Sequence, residues 1–373
     1  MTNSKPPMVV SNAIVFGLLN ITALVVVPIY GFTAGFSGWA WLFAAVLFTL
    51  SGMSITAGYH RLWSHRTYKA AWPMRLALAV FGALALQNSI YNWAARHRVH
   101  HRHVDDEERD PHSIKTGFWH AHMGWMLRHW PTSKADYSQV PDLEKDAIVM
   151  WQHRNYWTLT WTMNLGVPVA LGLIFRDLAG MLLLAGVLRL VVSHHLTFFI
   201  NSLAHTWGAR PYSDDNTARD NWVVALLTWG EGYHNYHHAF QGDYRNGVKW
   251  YHFDPSKWMV SVCAWFGMAW DIRRTPRFKI HRARLQMQFK ELQARLKTAE
   301  EPTWGEVLEA EYNQFKDTVS KWQAIQAEKV HAGREALRDR WQRTHMHTRL
   351  RELEYSLKMQ RRRLATLTTA LSS

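Results

Sequence analysis

The sequence predicts an all-α integral membrane protein. It has four transmembrane helices, a cytoplasmic helical cap rich in histidine, and a helical, coiled C-terminal tail. Three observations carry that expectation. Four apolar runs come close to the roughly 20 residues a helix needs to cross a bilayer. Histidine clusters fall at the ends of these runs or in the polar segments between them. From about Arg277 the chain becomes charged, with a helical apolar period.

Composition agrees. The 373 residues are 48% hydrophobic and include 21 Trp, more than an ordinary soluble domain carries. Trp concentrates where membrane meets water. The net charge of +14 points to an anionic partner: lipid headgroups, phosphorylated substrates or nucleic acid. Apolar spans and scattered basic residues argue against the last, so no nucleic acid is expected. Cys263 is the only cysteine, which excludes intrachain disulfides and multi-cysteine metal sites.

Taken in order, residues 1–8 are a polar tail and the first span covers about 9–30. That run is long, uncharged and soon followed by another, so it reads as a span and not a cleavable signal. A turn from Gly31 to Gly38 leads to the second span, about 39–57, which should end at Gly58-Tyr59. Residues 72–90 are apolar but carry Pro73, Arg75, Gln87 and Asn88, which predicts an interfacial helix. A crossing there would put the next histidine cluster on the wrong side. Spans return at about 157–175 and 181–203. Arg189 lies inside the last and should face protein, because a charge facing lipid is expensive. The cap takes in 58–156 and 204–275, completing a membrane domain 1–275. Four spans put both termini and every histidine cluster on one side. The outer loops carry only Arg176, so the positive-inside rule makes that side cytoplasmic, in a multi-pass inner (cytoplasmic) membrane protein. Trp258 to Trp270 is too short to span.

The tail, 276–373, repeats Leu285, Phe289, Leu292 and Leu296 at 4-3-4 spacing. Thr303-Trp304-Gly305-Glu306 resembles a capping box. Leu350, Leu353, Leu357, Leu364, Leu367 and Leu371 fit a heptad seam around Arg361-Arg362-Arg363. A solvated helical hairpin packed on itself is expected.

His234-Asn235-Tyr236-His237-His238 reads H-x-x-H-H, as does His97-Arg98-Val99-His100-His101. Residues three and four apart share a helix face, so each motif should aim its imidazoles at one locus. Imidazole ligates zinc, copper, iron and nickel. His60 to His65 has a wider H-x4-H spacing, and Asn201 to His205 ends in another histidine. Together these are nine imidazoles, enough for two metal ions. A lone histidine is usually satisfied by hydrogen bonds. His103, His112, His120, His122, His129, His153, His194 and His195 are read that way. Nine nitrogens without cysteine suit two redox metals better than a structural zinc. Iron is the natural choice for activating dioxygen against a C–H bond, and the membrane points to a lipid chain.

The pattern resembles the membrane-bound fatty acid desaturases, in particular the acyl-CoA delta-9 (stearoyl-CoA type) branch and its bacterial relatives. His60-Arg61-Leu62-Trp63-Ser64-His65 and Tyr91-Asn92-Trp93 before the first H-x-x-H-H carry the likeness. Asp110-Pro111-His112-Ser113, Asn201-Ser202-Leu203-Ala204-His205 and Gly232-Tyr233-His234 complete it, over roughly residues 10–275. The resemblance implies that two Fe ions are held by His60, His65, His97, His100, His101, His205, His234, His237 and His238, and a metal-bound water by Asn201. It implies a kinked acyl tunnel lined by Trp93 and Thr197, with Gln87 counted beside them. The implied reaction inserts a cis double bond, delta-9, into a saturated chain by successive hydrogen abstractions, using O2 and two external electrons.

One departure bears on the carrier. Where the family often reads W-A-R-D-H, this chain reads Trp93-Ala94-Ala95-Arg96-His97. The arginine is displaced by one position, a rotation of about 100° on a helix. Fatty acyl-CoA, an acyl lipid or an acyl-carrier protein all stay open as substrate, with Arg128 as a candidate for an anionic headgroup. No H-P-G-G haem motif occurs, so a separate donor is expected: ferredoxin, rubredoxin or a cytochrome with its reductase. Two rivals remain. A three-histidine-box hydroxylase or monooxygenase of lipid or alkane chains shares the metal logic. A membrane metal carrier or sensor should instead place ligands at mid-span.

Overall fold

The computed structural model describes residues 5–299, 302–331 and 340–370. Four helices are long and apolar enough to cross a membrane: α1 (Val10–Thr33), α2 (Gly38–Ser64), α6 (Tyr156–Ile174) and α7 (Leu178–His205). The apolar side chains of α1 point outward, with Leu24 74% and Phe32 93% exposed, as lipid-facing residues do. The turns at one end of the bundle hold each other. Ser37 caps α2, Asp177 caps α7, and the Ser37 hydroxyl donates to the Asp177 carboxylate at 2.5 Å. Inside, Leu47, Leu84, Met163, Met181 and Leu184 form the core between the spans.

Two expectations change here. First, α2 does not end at Gly58-Tyr59. It runs on to Ser64 in wide π-helical turns, with the His65 N–H bonded to the His60 carbonyl at 3.0 Å. Gly58 allows close packing instead, since a Cβ there would lie 3.2 Å from Leu78. Second, the helix expected over about 72–90 stops earlier than its predicted end. It forms α3 (Trp72–Ala85), which breaks and continues as α4 (Ile90–His103) at 80°. Leu86 and Asn88 at the break take left-handed backbone angles.

Breaking a helix leaves backbone groups without partners, and hydrocarbon offers none. The later spans supply them. Arg189 donates to the Leu84 carbonyl at 2.6 Å and to Asn164 at 2.8 Å. Asn164 donates to the Ala83 carbonyl at 3.0 Å, and the His194 ring to that of Ala85 at 2.9 Å. The Asn88 N–H meets the Tyr156 hydroxyl at 2.9 Å. Gln152 of α5 (Ala147–Arg154) takes the Ile90 N–H at 3.0 Å. Arg189 thus faces protein, as its cost in lipid requires, and its task is to cap α3.

The cap is tied together by strand β1 (Lys69–Ala70) against β2 (Ala269–Trp270), antiparallel, with Lys69 opposite Trp270. Between them in sequence lie α8 (Trp222–Leu227), α9 (His234–Ala239) and α10 (Pro255–Trp265). α10 leaves Trp258, Val262 and Trp265 exposed. The chain divides into two compact units: Met1–Ala209 with Asn216–Arg274, and Arg210–Asp215 with Thr275–Ser373. The second holds α11 (Arg277–Ala299), α12 (Pro302–His331) and α13 (Arg340–Ala370) around its own core of Phe278, Leu285, Phe289, Phe315, Leu357 and Leu364. Three helices pack there, where two were expected. The heptad seam supplies Leu353, Leu357, Leu364 and Leu367 to that core, while Leu371 lies outside the described residues.

Arg189→Ala should therefore cost stability. It leaves the Leu84 carbonyl and Asn164 without their donor, a loss of about 2–4 kcal/mol. A lowered melting temperature in detergent checks it. An unchanged melt would remove Arg189 as the cap of α3.

Candidate metal centre

Each H-x-x-H-H motif lies on a helix, α4 or α9, but neither aims at a single point. Positions i and i+4 lie about 40° apart around a helix, whereas i+3 falls about 60° to the other side. His97 and His101 accordingly join His60, His65 and His237 in one group. His100 joins His205, His234 and His238 in a second. Within each group the nitrogens that face inward lie within 4.8 Å of one another. Each helix gives a pair to one group and its third histidine to the other.

The H-x4-H spacing is explained by the π-helical end of α2. A turn closed by i to i+5 bonds stacks residues five apart. The His60 and His65 rings lie 4.8 Å centre to centre. An ordinary α-helix would swing them about 140° apart.

The outward ring nitrogens are held in place. The His60 Nδ1–H faces Glu231 at 2.8 Å, and Glu231 also accepts from Arg61 at 2.9 Å. The His100 Nδ1–H donates to Asp110 at 2.9 Å. The His205 Nδ1–H donates to Thr217 Oγ1 at 2.8 Å, and Thr217 is itself bonded to Asp105 at 2.6 Å. Such partners fix the tautomer and turn the Nε2 lone pair inward. The Nε2 atoms then face each other: His65 and His97 at 2.8 Å, His101 and His237 at 2.9 Å, His205 and His234 at 3.1 Å. Burial, then the neighbouring imidazoles, pushes His65, His234, His237 and His238 well below the ordinary histidine range. These four rings are neutral at pH 7, the form that ligates metal. Converging lone pairs repel one another, and a cation between them relieves that repulsion. The donor set fits two metal ions that favour imidazole, such as iron.

Beside the histidines lies a cavity between α2 and α7, lined by Ser51, Ile55, Thr197, Ile200 and Asn201, with His60, His97, His100 and His234 on its wall. Gln87, at the tip between α3 and α4, donates to Thr197 at 3.0 Å and accepts from Trp93 Nε1 at 3.3 Å. Trp93 in turn stacks on the His97 ring at 4.7 Å. Arg128 is not among the residues lining this cavity. Its guanidinium donates to the Pro6 carbonyl at 2.7 Å, where the N-terminal segment pairs with residues 127–129.

Sequence reasoning left out Glu231, Asp105 and Thr217. A carboxylate or hydroxyl facing a histidine from a distant segment leaves no local spacing to find. His112 was read as an ordinary histidine. Its ring lies 4.3 Å from that of His100, and it groups with His100 and Asp110. Burial and then His100 lower it to about 3.

The Fatty acid desaturase family model matches residues 36–273. The chain is 43% identical over 274 residues to the Probable acyl-CoA desaturase of Schizosaccharomyces pombe, covering 73% of this chain and 57% of that protein. It is 40% identical over 298 residues to Acyl-CoA desaturase 1 of Saccharomyces cerevisiae, covering 78% and 58%. It is 38% identical over 271 residues to an Acyl-CoA Delta12-desaturase of Acheta domesticus, covering 71% and 75%. The matched region is thus less than two thirds of the length of either yeast protein.

Glu231→Gln tests the outer support without changing side-chain size. It should weaken metal retention by about 10–100-fold. Metal content after titration with a chelator measures this, and wild-type retention would deny Glu231 that role.

Proposed function

The chain belongs to the fatty acid desaturase family, and on that premise we propose that it is a membrane acyl desaturase working at a di-iron centre. One observation carries the reading: two groups of inward-facing imidazoles share a wall with a largely apolar cavity. Two Fe ions would be held by His60, His65, His97, His101 and His237 in one group and by His100, His205, His234 and His238 in the other. Asn201, on the cavity wall, is proposed to hold a water beside the second group. When bound, the iron pair supplies dioxygen activation and the oxidising power for C–H cleavage.

The rest is positioning. The acyl chain is proposed to lie between α2 and α7, where Ser51, Ile55 and Ile200 line a largely apolar cavity. Trp93, Gln87 and Thr197, linked by hydrogen bonds, would set where the chain bends and which carbons meet the histidine wall. Two hydrogens leave adjacent carbons, two electrons and two protons come from outside, and dioxygen leaves as two waters. A cis bond at the ninth carbon is the proposed product, from the motif likeness to the stearoyl-CoA branch. Fatty acyl-CoA is the proposed substrate, as the names of the relatives suggest, and a separate redox protein the proposed donor. The cytoplasmic face of an inner membrane is the proposed location of the site.

Expression in a host lacking mono-unsaturated fatty acids tests this, with acyl chains profiled by gas chromatography and mass spectrometry. New cis-9 chains should form with the wild type and vanish with His237→Ala, which should still insert. Hydroxylated chains would instead assign a hydroxylase. If neither forms, the metal content of the purified protein decides: about two irons per chain keeps the reading, and zinc alone overturns it.

In the same assay Thr197→Val should keep turnover but shift the bond position or chain-length profile, because Gln87 loses its acceptor. An unchanged profile would take Thr197 out of the bend.

A further inference from the structure

The helical unit of residues 275–370 pairs several of its basic side chains, Arg363 with Glu311 and Lys321 with Asp317 among them, but leaves one basic cluster without a carboxylate among the described residues. On α11, Arg277, His281 and Arg284 follow 4-3 spacing and share a face. On α13, Lys358 and Arg361 lie three apart. Phe278, Leu285, Leu357 and Leu364 pack these helices together in one core, close enough that the charges of Lys358 and Arg361 act on His281 and that of Arg284 on Arg361. Arg284 lies over the Tyr212 ring, 4.8 Å from its centre, and donates to its hydroxyl at 2.5 Å.

We propose that His281, Arg284, Lys358 and Arg361 form a binding site for a phosphate group. Arg284 Nε and His281 Nδ1 are buried without a hydrogen-bond partner. Two acids of this unit are engaged elsewhere: Asp214 pairs with Lys290 at 2.5 Å, and Glu354 reaches Arg277 at 4.0 Å. Among the described residues no carboxylate pairs with Arg284, Lys358 or Arg361. Burial and the charges of Arg361, Arg284, Lys358 and Arg277 push His281 down to about 4, a measure of the crowding. Like charges held close destabilise one another, and an anion offsets that. Phosphate fits best, because guanidinium forks match its oxygens two at a time. The group can come from an acidic lipid or from a free phosphate compound.

Isothermal titration of the full chain in neutral detergent separates these sources. The probes are inorganic pyrophosphate, dihexanoyl phosphatidic acid and, as a control, dihexanoyl phosphatidylcholine. Binding of both phosphate probes supports a general phosphate site. Binding of phosphatidic acid alone assigns a lipid headgroup. The double variant Arg284→Gln, Arg361→Gln should lose at least about tenfold in affinity. Arg349→Gln, whose residue pairs with Glu328 at 3.5 Å on the surface, should match wild type. Circular dichroism checks that helices persist, and Arg284→Lys with Arg361→Lys keeps the charge should the glutamines disturb packing. No binding by the wild type, or equal loss in Arg349→Gln, overturns the site.

Discussion

Glu231 is the carboxylate on which the centre depends. It is 4% exposed and shared between His60 and Arg61, neighbours on one helix end. Arg61, 1% exposed, also pairs with Asp254 at 2.8 Å and donates to the Tyr244 carbonyl at 2.9 Å. Asp254 accepts from the backbone of Asn246 and Gly247 and caps α10. A span, the loop before α9 and the helix after it thus meet at one ion network. A buried arginine costs much unless its partners and geometry are complete. Here the two terminal nitrogens of Arg61 are satisfied, its Nε is buried without a partner, and the shared Glu231 fixes the ring of His60.

With Asp110 on His100 and Thr217 on His205, that network sets rings from three of the four segments that bring the histidines together. α2 brings His60 and the residue that ends it, His65, while α4 brings three, α7 one and α9 three. α9, only six residues long, is too short to orient its rings alone. The helical repeat divides each motif between two groups, and contacts from outside hold that division.

Much of this was legible because it is local. Apolar runs gave four spans, since crossing length is a property of consecutive residues. Spacing picked out the nine imidazoles now seen in two groups. What stayed hidden was set by distant partners. Gly58 read as a helix end, but it packs against Leu78 while π-turns carry the helix past it. The break at Leu86–Asn88 read as interfacial polarity, because its caps, Arg189 and Asn164, come about a hundred residues later. The pairing of Arg128 with Pro6 was hidden because nothing local showed that the N-terminal segment would reach it. The tail unit has three helices where a hairpin was expected, because the apolar spacings marked residues 285–296 and 350–371 and not the helix between them.

The break between α3 and α4 bears on how the chain is made. Its carbonyls are served by residues 81 and 105 positions downstream. A growing chain emerges from the ribosome in order, so the tip exists long before its caps. Left in hydrocarbon without them, each bare carbonyl would cost several kcal/mol. The first hairpin can therefore enter the bilayer alone, but the tip must wait until α6 and α7 follow. Insertion order and sequence order differ here, and the cavity closes only when the last span is in place.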